Sequence, residues 1–259
     1  MKKLVLQLFI FSLTLFVFKA NAQVSIDIKG GLSIPNLSSG SGAGSTPLST
    51  GYSSRLGPDF GIDVDFKISN LFSIQPGLQY SAEGGKKDGY QAFPTPAAFA
   101  AQYPAGEAPT YLYANYNSEA KINYLMLPIL AKVGWNLGSG VRLYVDAGPF
   151  VGYLLNAKQV TSGTSQWYYD SGMTQPVETE QGPLPAQNFD NTQDIKSSIH
   201  QFNFGIEGNV GFAFKFGKSF LFVEGGGNYG FLNIQKYAAD GKNEIGAGTA
   251  AIGYGFWIK

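Results

Sequence analysis

Eight segments of the chain alternate between apolar and polar residues, a period-2 pattern that predicts β-strands whose two faces meet different surroundings. They cover residues 24–32, 58–68, 71–82, 120–135, 141–157, 199–216, 219–234 and 244–258. The connections at 69–70, 136–140 and 217–218 are short, those at 33–57, 83–119 and 158–198 are long, and the last, 235–243, is of intermediate length. Short and long connections alternate, so the long loops emerge at one end of the sheet, as is typical of an up-and-down barrel.

The two faces of the predicted strands differ in charge. One face is almost purely apolar, as in the row Leu125, Leu127, Ile129, Ala131, Val133 and Trp135. The opposite face carries most of the charged and amide side chains. This pattern alone does not decide which face points outward, because a soluble lipocalin-like barrel would enclose its apolar row.

Three observations favour an apolar row that faces lipid. Large aromatic residues lie near both ends of this row: Phe66, Phe72, Trp135, Phe216 and Phe256 near the short turns, and Tyr80, Tyr153, Phe202 and Tyr229 near the long loops. Two such belts are typical of the two membrane interfaces. The opposite row is rich in glycine and small residues, which suit a narrow interior. Charged residues make up only 14% of the chain, against about a quarter in soluble domains.

No apolar run after residue 22 is long enough for a transmembrane helix, which needs about 20 residues. Only helices and closed barrels span a bilayer, because backbone polar groups in lipid need internal partners. We therefore predict an all-β fold: an eight-stranded antiparallel up-and-down transmembrane β-barrel of the cell outer membrane, with short periplasmic turns and long extracellular loops. The balance of 18 basic against 18 acidic residues argues against nucleic acid as a partner.

The sequence has the features of a processing signal at its start and of a barrel-assembly signal near its end. Residues 1–22 have the features of a cleaved signal peptide, with Lys2 and Lys3 before an apolar stretch and an Ala-Asn-Ala cleavage site at 20–22. The predicted barrel domain is then residues 23–259. Near its end, Gly253, Phe256 and Ile258 have a spacing that resembles a barrel-assembly signal, so we expect the barrel-assembly machinery as a partner during insertion.

An eight-stranded barrel leaves an interior that side chains can just fill. The charged residues assigned to this interior are six acids and five bases: Asp27, Asp63, Asp65, Asp146, Glu207 and Glu224, with Lys29, Lys67, Lys132, Arg142 and Lys215. Buried ions are costly unless they are paired, so we predict a salt-bridge and amide network that plugs the lumen. A selective ion path would instead show an excess of one sign along its length.

Several strand motifs resemble those of one family. They are FG at 60–61, FSIQPGLQYS at 72–81, NYLMLPILAK at 123–132, AGPFVGYLL at 147–155 and NYGFLNI at 228–234. Together they resemble the PorT-type, porin-like outer-membrane β-barrel domain of Bacteroidota. The resemblance implies an eight-stranded barrel in the outer membrane, and one branch of that family contributes to gliding or type nine secretion machinery. These motifs build strands, so they bear on fold more than on function.

The long loops are where we expect function, because binding residues concentrate on loops held by a rigid scaffold. Candidate surface contacts are the aromatic residues Tyr103, Tyr111, Tyr113, Trp167, Tyr168 and Tyr169. Tyrosine and tryptophan supply large contact areas at low entropic cost, which suits binding of a protein partner or a glycan. In the alternative interpretation the loops fold over the barrel mouth and pack on each other or on lipopolysaccharide. Outer-membrane lipids and lipopolysaccharide are expected partners of the barrel.

Catalysis is a weaker interpretation of this sequence. The lone histidine, His200, shares a predicted strand face with Ser198, and a Ser–His pair at a membrane interface can act on lipid esters. No third residue that would orient the histidine is evident. We predict a non-enzymatic protein without catalytic, cofactor or metal sites, which acts as a structural or interaction anchor through its loops. The alternatives are a narrow solute pore, a component of a secretion or gliding complex, and a lipid-modifying barrel enzyme.

Overall fold

The computed structural model describes residues 23–39, 45–179 and 181–258. The predicted signal peptide, residues 1–22, lies outside the described residues and remains a prediction. The long strands are β1 (Gln23–Ser38), β2 (Gly57–Lys67), β3 (Phe72–Lys87), β6 (Asn117–Gly138), β7 (Val141–Ser162), β13 (Phe202–Phe216), β14 (Ser219–Gly230) and β15 (Glu244–Trp257). The connections contain β4 (Tyr90–Pro94), helix α1 (Ala97–Ala100), β5 (Tyr111–Asn115), β8 (Thr164–Ser165), β9 (Glu178–Thr179), β10 (Gly182–Pro183), β11 (Gln187–Asn188), β12 (Asn191–Asp194) and 3-10 turns at Lys196–Ser198 and Ala238–Asp240.

The eight long strands are hydrogen-bonded into a closed antiparallel ring. Long strands that are neighbours along the chain pair in turn, and the ring closes because β1 pairs with both β15 and β2. Ile26 marks this closure, since it lies opposite Phe256 of β15 and Val64 of β2. The structure therefore confirms the predicted eight-stranded up-and-down barrel.

The apolar face of the strands points away from the barrel axis. Ile129 and Ile252 are 56% and 60% exposed on the outside, whereas Asp27 on the opposite face is 1% exposed. Among the aromatic belt residues, Trp135 lies near the short-turn end of β6 and Phe202 begins β13 at the loop end. An apolar outer face with aromatic residues at both rims is the surface that a lipid bilayer requires.

The strands differ from the predicted segments mainly at the loop end. β1, β3 and β7 run on to Ser38, Lys87 and Ser162, five or six residues past the end of the alternation. We attribute the difference to position, because strand ends above the lipid band meet water or other loops on both faces and lose the apolar–polar pattern. The segment predicted to start at 199 begins at Phe202, since residues 196–198 form a 3-10 turn. The next segment ends at Gly230 instead of 234.

The turn between β6 and β7 is tighter than the sequence indicated. Only Ser139 and Gly140 lie outside the two strands, and their φ angles are 50° and 79°. Positive φ at both central residues is typical of the type I′ hairpin turn, which matches the twist of the flanking strands. The two strands therefore extend into the connection predicted at 136–140.

The long connections fold against each other and against the barrel wall. We call residues 88–116 loop 2 and residues 163–201 loop 3. Loop 2 contains the β4–β5 hairpin, and a bridge between Tyr113 and Tyr168 joins it to loop 3. In loop 3, β12 pairs with β7 and extends the wall. Across the described part of the chain, no helix has the length and apolar character needed to cross a membrane.

Candidate functional site

The middle of the lumen holds an ion cluster centred on Lys29. Its Nζ lies 3.1 Å from Glu224 Oε1, 3.7 Å from Asp63 Oδ2 and 3.9 Å from Glu207 Oε1. Tyr144 donates its hydroxyl hydrogen to the second oxygen of Glu224 over 2.8 Å. These five side chains, which we call the central ion cluster, come from β1, β2, β7, β13 and β14 and are almost completely buried. The cluster therefore cross-links five strands through the interior.

A second polar layer lies beside the central ion cluster. Lys132 pairs with Asp65 over 3.4 Å, and Asn209 donates to Asp146 over 2.9 Å. Asp27 accepts hydrogen bonds of 2.8 and 3.3 Å from a serine and a glutamine side chain. All five residues are buried. Each carboxylate in this layer thus has a polar partner that offsets part of the cost of burial.

The other three predicted lumen cations lie at the short-turn edge of the second layer. Lys67, Arg142 and Lys215 line a cavity of about 380 Å³ at the short-turn end of the barrel, which we call the short-turn cavity. Lys67 donates a hydrogen bond of 3.2 Å to the side chain of Gln23, and Lys215 is exposed. Within the described residues, none of the three forms an ion pair with a carboxylate.

A third buried polar layer, toward the loops, was missed by the sequence reasoning. Glu83 is fully buried and accepts hydrogen bonds from Ser81 over 2.8 Å and from Asn228 over 3.1 Å. Arg55 donates to the backbone carbonyl of Glu83 over 2.9 Å and pairs with Glu119 over 2.7 Å. Glu83 lies one residue beyond the predicted segment 71–82 and shares the inward parity of Ser81, so a longer strand would have included it.

The interior also contains an apolar layer, although the sequence predicted a polar lumen. This layer, the lumen apolar cluster, consists of Leu37, Ala120, Ile122, Tyr124, Met126, Phe150, Leu154, Ala157, Ile199, Ile234 and Ile245. Tyr124 and Met126 share the inward parity of Lys132, and this periodicity was the available signal. Ile199 and Ile234 come from loops and insert side chains into the barrel.

Two cavities lie at opposite ends of these layers. The short-turn cavity has a volume of about 380 Å³, and a cavity of about 500 Å³, the loop-end cavity, is lined by residues such as Tyr52, Lys87 and Tyr116. The two cavities have no lining residue in common. Lys29 of the central ion cluster and Met126 of the lumen apolar cluster line neither cavity.

The aromatic residues predicted as loop contacts pack largely on other loop residues. The hydroxyls of Tyr103 and Tyr169 lie 2.8 Å apart, across loops 2 and 3. The ring of Trp167 meets those of Phe93 and Phe99 edge-on, with centroids 5.4 and 5.9 Å away. Edge-to-face pairs of this kind stabilise packing beyond the area that they bury.

The remaining three predicted loop contacts have backbone partners. Tyr113 and Tyr168 exchange two backbone hydrogen bonds of 2.9 Å, and Tyr111 lies opposite Pro94 in the β4–β5 hairpin. All three side chains are partly buried, whereas Tyr90 of the same hairpin is 66% exposed. Most of the loop aromatic residues therefore pack between loops, and Tyr90 leaves an aromatic ring exposed to solvent.

Two loop tyrosines titrate above their usual range. Burial raises the pKa of Tyr116 to about 12, and its ring stacks on Phe189 with centroids 4.5 Å apart. Burial, together with the hydrogen bond to Tyr103, raises the pKa of Tyr169 to about 12. Both phenols are neutral at physiological pH, so the contact between loops 2 and 3 is free of tyrosinate charge.

Residues 19–236, most of the chain, match the outer membrane protein beta-barrel domain. The chain belongs to this family. As a member of the outer membrane protein beta-barrel domain family, it is located in the outer membrane. No curated protein matches the sequence.

Several solved outer-membrane proteins are similar in structure to this chain. Neisserial surface protein A is 12% identical with a TM-score of 0.40, covering 89% of this chain and 96% of that one. The outer membrane protein OprG from Pseudomonas aeruginosa is 9% identical with a TM-score of 0.39, covering 92% and 97%. Ail, the attachment invasion locus protein of Yersinia pestis, is 10% identical with a TM-score of 0.35, covering 92% and 100%.

The Ser–His pair considered for a catalytic role does not form in this outer membrane beta-barrel protein. Ser198 ends a 3-10 turn and lines the loop-end cavity, whereas His200 is exposed and donates its backbone N–H to the carbonyl of Ile234 over 2.8 Å. The prediction that both residues lie in one strand was wrong, because residues 196–198 form a 3-10 turn and β13 begins only at Phe202. Within residues 23–39, 45–179 and 181–258, no group of three or more His, Cys, Asp or Glu side chains is arranged so that it could hold a metal ion.

Proposed function

We propose that this outer-membrane barrel is a non-enzymatic anchor, with a plugged lumen and with aromatic loops that bind a partner at the cell surface. The observation that carries the proposal is the separation of the two cavities, which have no lining residue in common. A barrel that conducts solutes needs a continuous opening between its ends. An anchor needs only a stable wall and an ordered surface.

The chemistry of the layers supports a plugged lumen. The central ion cluster joins Lys29 to three carboxylates from other strands at 3.1–3.9 Å. Removing one partner from a buried ion pair costs about 3–5 kcal/mol, so the cluster resists opening. The lumen apolar cluster adds a layer without charge, and Phe150 and Tyr124 in it are almost fully buried. An ion that passed this layer would lose its hydration without compensation.

The packing of the loops supports the proposal that they bind a partner at the cell surface. Loops 2 and 3 are tied by the Tyr113–Tyr168 bridge and by the Tyr103–Tyr169 hydroxyl contact. A preordered surface loses little conformational entropy on binding, which favours affinity. Tyr90, 66% exposed, offers an aromatic ring of the kind that carries binding energy at interfaces.

The resemblance to PorT-type barrels of Bacteroidota supports a finer assignment. Its motifs at 72–81, 123–132 and 147–155 form parts of β3, β6 and β7. We propose that the protein is of this type and that its surface partner belongs to an envelope complex, of the secretion or gliding kind. Outer-membrane lipids and lipopolysaccharide would surround the barrel, and the barrel-assembly machinery would insert it.

Planar-bilayer recording tests the plugged lumen. The purified protein is inserted into a lipid bilayer between salt solutions, and an open porin inserted in the same way verifies the assay. We expect no steady unit conductance from this protein. Steady, reproducible steps of current would overturn the plugged lumen and favour the narrow-pore alternative.

Site-specific photocrosslinking in the native membrane tests the loops as a binding surface. A photoreactive residue at Tyr90 should give a discrete protein adduct. The same residue at Leu221, which is 44% exposed on the lipid face of β14, should give lipid adducts alone and serves as the matched control. Identical adducts at the two positions would refute the proposal that the loops bind a surface partner. They would not affect the proposal of a plugged lumen.

A further inference from the structure

The short-turn cavity has more cations than carboxylates in its wall. Its charged lining residues are Lys67, Lys132, Arg142 and Lys215, against Asp27 and Asp65. Asp65 is already paired with Lys132 at 3.4 Å. Asp27 is 1% exposed and accepts hydrogen bonds from the neutral side chains of Ser25 and Gln75. Among the residues that the structure describes, the other three cations are therefore left without a paired carboxylate.

These three cations surround one space from different strands. Lys67 lies on β2, Arg142 on β7 and Lys215 on β13. Arg142 lies opposite Ala213, and Lys215 is two residues further along that strand on the same face. Arg142 and Lys215 are thus diagonal cross-strand neighbours, which long side chains can bridge. Cations that line one cavity repel each other, and an anion bound between them offsets that repulsion.

The strand beside Arg142 is shaped to accept its guanidinium. Residue 134 on the neighbouring strand β6 is glycine, and a Cβ atom placed there would lie 2.9 Å from Cζ of Arg142. The absence of a side chain at Gly134 therefore leaves room for the guanidinium to lie against β6. Arginine presents several N–H donors in a planar fork, which matches the oxygens of a carboxylate or phosphate group.

An aromatic wall completes the short-turn cavity. Tyr144, Phe220, Phe222 and Trp257 line it, and the rings of Phe220 and Trp257 lie 5.4 Å apart. The cavity thus combines cationic groups with apolar rings. This combination suits a ligand that has an anionic head and an apolar body, because each half meets its complement.

We propose that the short-turn cavity binds a small organic anion from the periplasm, with a carboxylate or phosphate head against Arg142 and Lys215 and an apolar body against the aromatic wall. The volume of about 380 Å³ falls within the range of about 300–1,000 Å³ typical of small-molecule sites. Short turns of outer-membrane barrels face the periplasm, so the ligand enters from that side. The site goes beyond the anchor role and does not depend on any surface partner.

Fluorescence of Trp257 tests the site directly. The chain contains three tryptophans, so the double variant Trp135→Phe, Trp167→Phe leaves Trp257 as the sole reporter. This variant, in phosphatidylcholine nanodiscs, is titrated with phenyl phosphate and with benzamide as a neutral aromatic control. We expect a saturable change with phenyl phosphate and binding at least about tenfold weaker with benzamide, because charge-assisted hydrogen bonds are lost.

Charge variants then assign the binding to the cations. Arg142→Gln and Lys215→Gln should each weaken phenyl phosphate binding about tenfold, since each removes a charge-assisted contact. Arg142→Lys should restore part of the affinity. Lys218→Gln is the matched control, because Lys218 is an exposed cation of the neighbouring turn that does not line the cavity. Folding of each variant is checked by the heat-dependent gel mobility of the barrel.

Any of three results overturns the proposal. These are no saturable change in Trp257 fluorescence, equal affinity for benzamide and phenyl phosphate, or the same phenyl phosphate affinity in Lys215→Gln and Lys218→Gln. Lys215 is exposed, so its substitution keeps the proposal testable even if Arg142→Gln fails to fold. Repeating the titration in phosphatidylglycerol nanodiscs identifies the source of the anion. Weaker phenyl phosphate binding there would mean that lipid headgroups occupy the site and would overturn a periplasmic ligand, whereas unchanged binding supports a soluble anion.

Discussion

Replacing Lys29 with methionine removes the cation at the centre of the lumen and keeps a side chain of similar length. The carboxylates of Asp63, Glu207 and Glu224 then remain buried without the ammonium that lies 3.1–3.9 Å from them. Loss of one partner from a buried ion pair costs about 3–5 kcal/mol. Three carboxylates share this one lysine, so we expect Lys29→Met to lower the free energy of unfolding by about 4 kcal/mol.

Urea unfolding of the barrel in lipid vesicles, followed by tryptophan fluorescence and extrapolated linearly to water, measures this difference. Lys218→Met is the matched control, because the exposed Lys218 should change the free energy of unfolding by less than about 0.5 kcal/mol. If Lys29→Met costs less than about 1 kcal/mol, the central ion pair is no stronger than a surface pair. That result would refute the stabilising role assigned to the central ion cluster.

Three further predictions concern the lumen apolar cluster, the contact between loops 2 and 3, and the enzyme alternative. Phe150→Ala should lower the free energy of unfolding by about 3–5 kcal/mol in the same urea assay, and a loss under about 1 kcal/mol would contradict close packing of the lumen apolar cluster. Tyr103→Phe should lower the pKa of Tyr169 below about 12, because it removes the hydrogen bond, while burial still keeps this pKa raised. Tyrosinate absorbance measures the change, and an unchanged titration would refute the contact. Because the pKa of Tyr169 is raised in the folded state, this contact stabilises the loops below about pH 10 and is lost as the pH rises through about 12. His200→Ala should leave the mass spectrum of lipid A unchanged, and an altered lipid A would support the enzyme alternative.

The strand count and the outward face could be predicted because lipid imposes a simple rule. Each outward residue of a membrane strand must be apolar, so Ile62 and Val64 alternate with the buried Asp63 and Asp65. The same rule fails beyond the lipid band, which is why β3 and β7 ran past their predicted ends. Glu83 lay in one of these extensions and was missed for that reason.

The contents of the lumen were only partly predictable. Parity assigned Lys29 and Glu224 to the interior, yet 195 positions separate them along the chain, and nothing local indicates that they meet at 3.1 Å. Parity also placed Tyr124 inward, but the apolar layer depends on Ile199 and Ile234, which enter from loops without regular periodicity. Likewise, the sequence could not separate paired from unpaired cations.

The sequence by itself determined the barrel, its orientation toward lipid and the side of the wall on which each strand residue lies. These properties follow from period-2 geometry and from a solvent that is uniform around the barrel. Only the tertiary structure decided which interior groups meet, because closure of the ring brings together side chains from strands that are distant in sequence. That closure pairs Lys29 with three carboxylates and leaves Arg142 and Lys215 facing the short-turn cavity.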